Sequence, residues 1–244
     1  MEHSQSDITA RISERQMRLW SALHSAEHGS HTTGFEKFRY RFLTLSRDDG
    51  SLGDEIASAL ARRLGWRVYD KEIVNFIAEN HRVREDLVRQ LDERDQGLVY
   101  EAILRLLRMP ESVSFGSEEY HESLMKTLAT LAARGSAVLV GRGANFVLRG
   151  SEQGLHIRVT GSLEVRLSRV SKNWNLPEGK ARPCLLAIDE DRRHFIRRHF
   201  RKRFDDLDCY DLMFNTDHLT VERVVNSVLA AMLPELPEAL ARAS

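Results

Sequence analysis

Short apolar runs alternate along this chain with longer stretches in which apolar residues recur every three or four positions. "FRYRFLTLS", ending at Ser46, reads as a strand, and "WRVYD", ending at Asp70, as a shorter second one. "SAVLVGRG" (136–143), "GLHIRVTG" (154–161) and "CYDLMFNTD" (209–217) supply a third, fourth and fifth. Ile56, Ala57, Leu60 and Leu64 form a helical stripe that stops at Gly65, a residue suited to a helix C-cap. Helical patterning also fills most of Lys71 to Arg134, interrupted by "MPESVSFGS", and returns over about Leu163–Lys172, Glu178–Arg203 and Val221–Leu233. Strands separated by helical crossovers predict an α/β fold built on a doubly wound five-stranded parallel sheet. Ligands of such sheets lie beyond the carboxyl ends of the strands. Those ends are Ser46–Gly53, Asp70, Gly141–Arg142, Thr160–Gly161 and Asn215–Thr216.

Outside this main body, residues 1–36 carry Ile8, Ile12, Leu19 and Leu23 at near-helical spacing, followed by the polar linker "HSAEHGSHTTG". A frayed extension fits this pattern, and so does a helix that docks a protein partner or makes a homo-oligomer. The domain itself is expected over 37–233, with a loose tail at 234–244.

The 244 residues include 36 basic and 36 acidic side chains, so any attraction for anions must come from local clusters. The two cysteines, Cys184 and Cys209, have no metal-ligand spacing and suggest neither a metal site nor a disulfide framework. No apolar run approaches the roughly 18 residues needed to span a bilayer, and the polar N-terminus lacks a secretory apolar core. The expectation is a soluble cytoplasmic protein that does not engage membranes.

"SRDDGSLGDEIA" (46–57) joins the first strand to the first helix. Glycines that let backbone N–H groups converge, followed at once by a helix N-terminus, are the requirements of a phosphate cradle. Gly50, Ser51 and Gly53 meet them. The full pattern G-x-x-x-x-G-K-[ST] is not met. Aligned on Gly53, the first glycine is Asp48, the lysine is Asp54 and the hydroxyl residue is Glu55. An ordinary glycine turn with an acidic helix start fits the same residues.

"FLTLSRDDGSLGDEIASALARRLGWRVYDKEIV", "VLVGRGANFVLR" and "YDLMFNTDHLTVERVV", in that order over about residues 38–232, resemble the cytidylate kinase-like family. The resemblance implies a sheet of P-loop NTPase type, a helical monophosphate-binding insertion at about 71–134 and a basic lid at about 178–204. It also implies ATP with Mg as donor and a CMP- or dCMP-like acceptor. Members of this family often lack the P-loop lysine. Where working cytidylate kinases carry D-G-R-D, this chain has Val140, Gly141, Arg142 and Gly143, so the Walker B acid is missing too. A catalytically weak or inactive nucleotide-binding regulator is therefore the alternative to a kinase.

Arg142, at a strand end between glycines, can grip a phosphate bidentately, and the resemblance assigns it to the monophosphate. Asp70 suits substrate binding, replacement of the missing magnesium carboxylate, or a helix N-cap. Lys71 beside it reads as a solvated helix start. Asn215 and Thr216 lie where related kinases approach adenine, or form a plain turn. "DRRHFIRRHFRKRF" (191–204) concentrates seven basic residues in a chain of zero net charge. By resemblance Arg192 and Arg193 are the catalytic lid arginines, supplying the positive charge that phosphoryl transfer requires. A solvated helix face and a patch for RNA or acidic partners are the other readings. Nucleic acid is not favoured, because no aromatic ladder accompanies the charge beyond Phe195, Phe200 and Phe204.

Overall fold

The computed structural model describes residues 38–79, 84, 85, 89 and 118–234. The expected extension at 1–36, most of the insertion at 71–134 and the tail beyond Pro234 lie outside these. In chain order the elements are β1 (Phe42–Arg47), α1 (Gly53–Leu64), β2 (Arg67–Tyr69) and α2 (Lys71–Glu79), then α3 (Glu118–Arg134), β3 (Ala137–Val140) and α4 (Ala144–Leu148). They continue with β4 (Gly154–Thr160), α5 (Leu163–Trp174), α6 (Glu178–Phe200), β5 (Leu212–Asn215) and α7 (Val221–Met232). The five strands form one parallel sheet in the order β2-β3-β1-β4-β5. That is the α/β sheet expected from the pattern.

Period-two alternation in the central strands divides the two faces. Leu43 and Leu45 of β1, with Leu155, Ile157 and Val159 of β4, pack against Ile56, Ala57 and Leu60 of α1 and Val224, Val225 and Val228 of α7. The intervening residues carry polar groups: Thr44 Oγ1 lies 2.8 Å from His156 Nδ1, and Ser46 Oγ donates to Asn145 Oδ1 of α4 at 3.2 Å. Gly65 ends α1 in the left-handed region (φ 70°), its N–H returning to Ala61 O. Ser162 and Thr220 cap α5 and α7 by accepting from the N–H groups of Val165 and Arg223.

Several boundaries differ from the sequence expectation. β1 starts at Phe42, with Phe38 and Tyr40 packed on the core outside the strand. β5 shrinks to Leu212–Asn215, because a 3-10 turn at Leu207–Cys209 takes up the preceding residues. The basic helix ends at Phe200, with Arg201 in the left-handed region as its cap. α4 was not anticipated; five residues are too few to show a helical period.

Candidate functional site: the glycine loop and helix α6

Residues 48–53 leave the carboxyl end of β1 and turn into α1. The turn is closed by Ser51, whose N–H (3.3 Å) and Oγ (2.7 Å) both donate to Asp48 O. Ser51 is thus fully buried, and its backbone donor is spent within the loop. Gly50 sits at φ 75°, and a Cβ there would lie 2.7 Å from Arg166 O and 2.8 Å from Val170. The loop can approach α5 this closely only with glycine at that position. At Gly53, α1 begins without a side-chain cap, leaving the helix-start N–H groups outside any intrahelical ladder.

Arginines from other elements hold the loop from three sides. From β4, Arg158 Nη2 donates to Asp48 Oδ1 at 2.6 Å, and Thr160 Oγ1 donates to the other carboxylate oxygen at 2.7 Å. From α5, Arg166 Nη1 donates to Asp49 O, while Arg169 Nη1 donates to Gly50 O and Thr216 Oγ1. From α6, Arg192 reaches Asp49 Oδ1 (3.0 Å) and Arg47 O (3.4 Å). Arg166 also makes a bidentate pair with Asp189 of α6, at 3.1 and 2.8 Å, with both side chains buried. A cavity of about 160 Å³ opens beside the loop, lined by Asp48, Asp49, Asp54 and Glu55 together with Arg169, Asn173 and Trp174.

At the end of β3, Gly141, Arg142 and Gly143 all take positive φ (77°, 53° and 69°), turning the chain sharply into α4. This turn aims Arg142 at α6, with its Cζ 4.8 Å from the Phe195 ring centroid. Its Nε is buried and has no hydrogen-bond partner among the described residues. Beyond Arg142, His121 of α3 stacks on His199 of α6 at 5.8 Å, and Phe146 of α4 stacks on Phe200 at 5.5 Å. Burial, reinforced by the nearby His121, Arg198, Arg142 and His194, lowers the pKa of His199 to about 4, and burial lowers that of His121.

The structure thus gathers Gly50, Ser51, Gly53 and Arg192 around the loop and sets Arg142 against the same helix that carries Arg192. Arg193 does not join them: it pairs with Glu190 of its own helix on the exposed side, because one residue along a helix turns the side chain by about 100°. Asp70 precedes α2, and its carbonyl accepts from Val74 N–H in the helix's first turn. Thr216 is buried, its hydroxyl donating to Ser51 O and Thr160 O and so tying β5 to the loop. Sequence reading missed Arg158, Arg166 and Arg169. The three-residue spacing of the last two, on the helix after a strand ending in Thr160–Gly161, was the available signal.

The model of the cytidylate kinase-like family matches residues 42–218. This chain belongs to that family. It is also similar to the cytidylate kinase of Methanocaldococcus jannaschii, 30% identical over 117 residues, covering 47% of this chain and 66% of that protein. The cytidylate kinase of Staphylothermus marinus is 26% identical over 97 residues, 40% of this chain and 54% of its own length. The chain therefore spans somewhat over half to two thirds of these relatives. An uncharacterized protein from Eubacterium ventriosum has a similar fold, with a TM-score of 0.58 at 16% identity over 78% of this chain and 96% of that one. In this family member the strand-end residue Val140 is 2% exposed in the core, where it serves packing. No described helix is long and apolar enough to cross a membrane.

Proposed function

We propose that this chain is a nucleoside monophosphate kinase-type phosphotransferase of the cytoplasm, with ATP as donor and a CMP- or dCMP-like nucleotide as acceptor. The observation that carries the reading is the convergence of Arg192, the glycine loop and Arg142: one helix faces both segments that would hold phosphates. Donor phosphates would rest on the backbone N–H groups of Gly50 and Gly53 and on the start of α1, with the helix dipole favouring them. Arg142, with a buried Nε in want of an acceptor, would take the acceptor phosphate, with Asp70 contributing from the end of β2. An acceptor phosphate oxygen then bonds to the γ-phosphorus as its bond to the ADP oxygen breaks. Arg192 would leave Asp49 to neutralise charge on the transferring group. The described residues gather no group of three metal-ligating side chains. Magnesium would accordingly enter with ATP, held chiefly by phosphate oxygens and water.

The second reading, a nucleotide-binding regulator with little or no turnover, is favoured by the carboxylates of Asp48, Asp49, Asp54 and Glu55 around the cavity. A coupled assay of ADP release with CMP, dCMP and other monophosphates separates the two. Turnover that is lost in Arg192→Ala supports the kinase. ATP binding without turnover on any monophosphate decides for the regulator.

A further inference from the structure

Asp54, where a P-loop lysine would stand, is bound to a cation that enters from the other side. Arg47, the last residue of β1, extends across the start of α1, and its Nε donates to Asp54 Oδ1 at 3.0 Å. Two glycines make room for it. A Cβ on Gly53 would lie 2.4 Å from Arg47 Cβ and 2.6 Å from its Cγ, and one on Gly141 would lie 2.8 Å from Nη1. The guanidinium therefore sits between the glycine loop and the turn that bears Arg142. Its side chain is only 11% exposed, yet Nη1 and Nη2 make no hydrogen bond among the described residues. Both amines keep solvent access, so a guanidinium held in place through Nε presents two open donors to an incoming anion. Asp54 does not fill that need: it engages Nε alone and is 64% exposed. An ion pair with one solvated member contributes little to stability, so its consequence is orientation of the guanidinium plane.

We propose that Arg47 supplies the phosphate-facing cation that the missing lysine would have supplied, and that Asp54 positions it. This rests on the phosphate-loop reading above. Here Asp54 is the acceptor that holds a relocated positive charge. Arg192, which donates to the carbonyl of Arg47 as well as to Asp49, closes the lid over the same place.

The test is calorimetric binding of Mg–ATP and of inorganic tripolyphosphate to the full chain, with melting temperatures as a check on folding. Arg47→Ala is expected to weaken both ligands at least tenfold, with Arg47→Lys recovering part of the loss. The decisive comparison concerns the sign of the Asp54→Asn effect. With Arg47 present, Asp54→Asn should weaken binding, because the guanidinium loses its orienting partner. In Arg47→Ala protein the same change should strengthen binding, because only an anion beside the phosphates is removed. A merely acidic helix start gives strengthening in both backgrounds, and that result overturns the proposal. Wild-type binding matched by Arg47→Ala also overturns it while leaving the proposed function standing. A wild type that binds neither ligand sinks both.

Discussion

Arg142 has positive φ, a buried Nε without a partner among the described residues, and an aromatic face at 4.8 Å. The positive φ and the unpartnered Nε cost free energy, which the Phe195 face offsets in part; a charge-assisted hydrogen bond from Nε to an acceptor contributes about 1.5–3 kcal/mol. Arg142→Ala should accordingly weaken CMP binding by about that amount with little effect on the fold, measured by titration calorimetry. Equal affinity in wild type and variant would reject its assignment to the acceptor. Arg142 was legible in the sequence because glycines on both sides mark a strand-end turn. Its cation–π contact with Phe195 was not, since the two residues come from separate elements. The same holds for Asp48. Read alone it is a broken first glycine; in the fold it accepts from Arg158 and Thr160, more than a hundred residues away. Single-residue departures from a motif are visible in a sequence, and the long-range partners that reinterpret them are not.

Among the elements, α6 was expected from its helical patterning, but what docks it was hidden. Asp189 and Arg166 bridge α6 to α5 with both side chains nearly inaccessible. Removing one member leaves a buried uncompensated charge, which costs about 3–5 kcal/mol. Asp189→Ala should therefore lower stability by that order in denaturant unfolding, well beyond the effect of Arg193→Ala, whose pair with Glu190 is exposed and screened by solvent. Comparable losses in the two variants would contradict this account. At its other end, α6 meets α3 through His199 and His121, with Tyr120, Arg142, His194 and Arg198 around them. The folded state holds His199 neutral down to about pH 4, against 6.5 as a free side chain. Below about 6.5 the unfolded chain thus binds the proton first, and stability falls as pH drops from there toward 4. His156, buried beside Thr44 and also lowered to about 4, acts with the same sign. His199→Gln should flatten the decline of melting temperature between pH 6.5 and 4.5 without abolishing it. A variant as steep as wild type would remove His199 from the explanation.

For the whole molecule, whose formal charge is zero, the fold brings a locally acidic loop against a locally basic helix, joined by the Arg192–Asp49 pair. The five strands, the helices between them and the parallel sheet follow from apolar periodicity, whereas the order β2-β3-β1-β4-β5 and the contacts of the site depend on long-range partners that periodicity does not mark. Arg192 rests on Asp49 in this structure, so on the proposed function an incoming nucleotide would have to displace that carboxylate from Arg192. Binding should still stabilise the domain, because backbone donors at the start of α1 and the amines of Arg47 gain acceptors that the protein itself does not supply. A ligand at a hundredfold excess over its Kd adds about 2.7 kcal/mol, or roughly 5–10 °C in melting temperature for a domain of about this size. Differential scanning fluorimetry with ATP, GTP and CMP, singly and paired, with and without magnesium, measures this directly. If the lid must release Asp49 before closing on phosphates, Asp49→Asn should enlarge the shift produced by ATP while leaving that produced by CMP alone unchanged. The absence of a shift with every one of these nucleotides at millimolar concentration would eliminate the kinase and the nucleotide-binding regulator together. A shift with ATP that Asp49→Asn does not enlarge would retain the site and discard the competition between Asp49 and phosphate for Arg192.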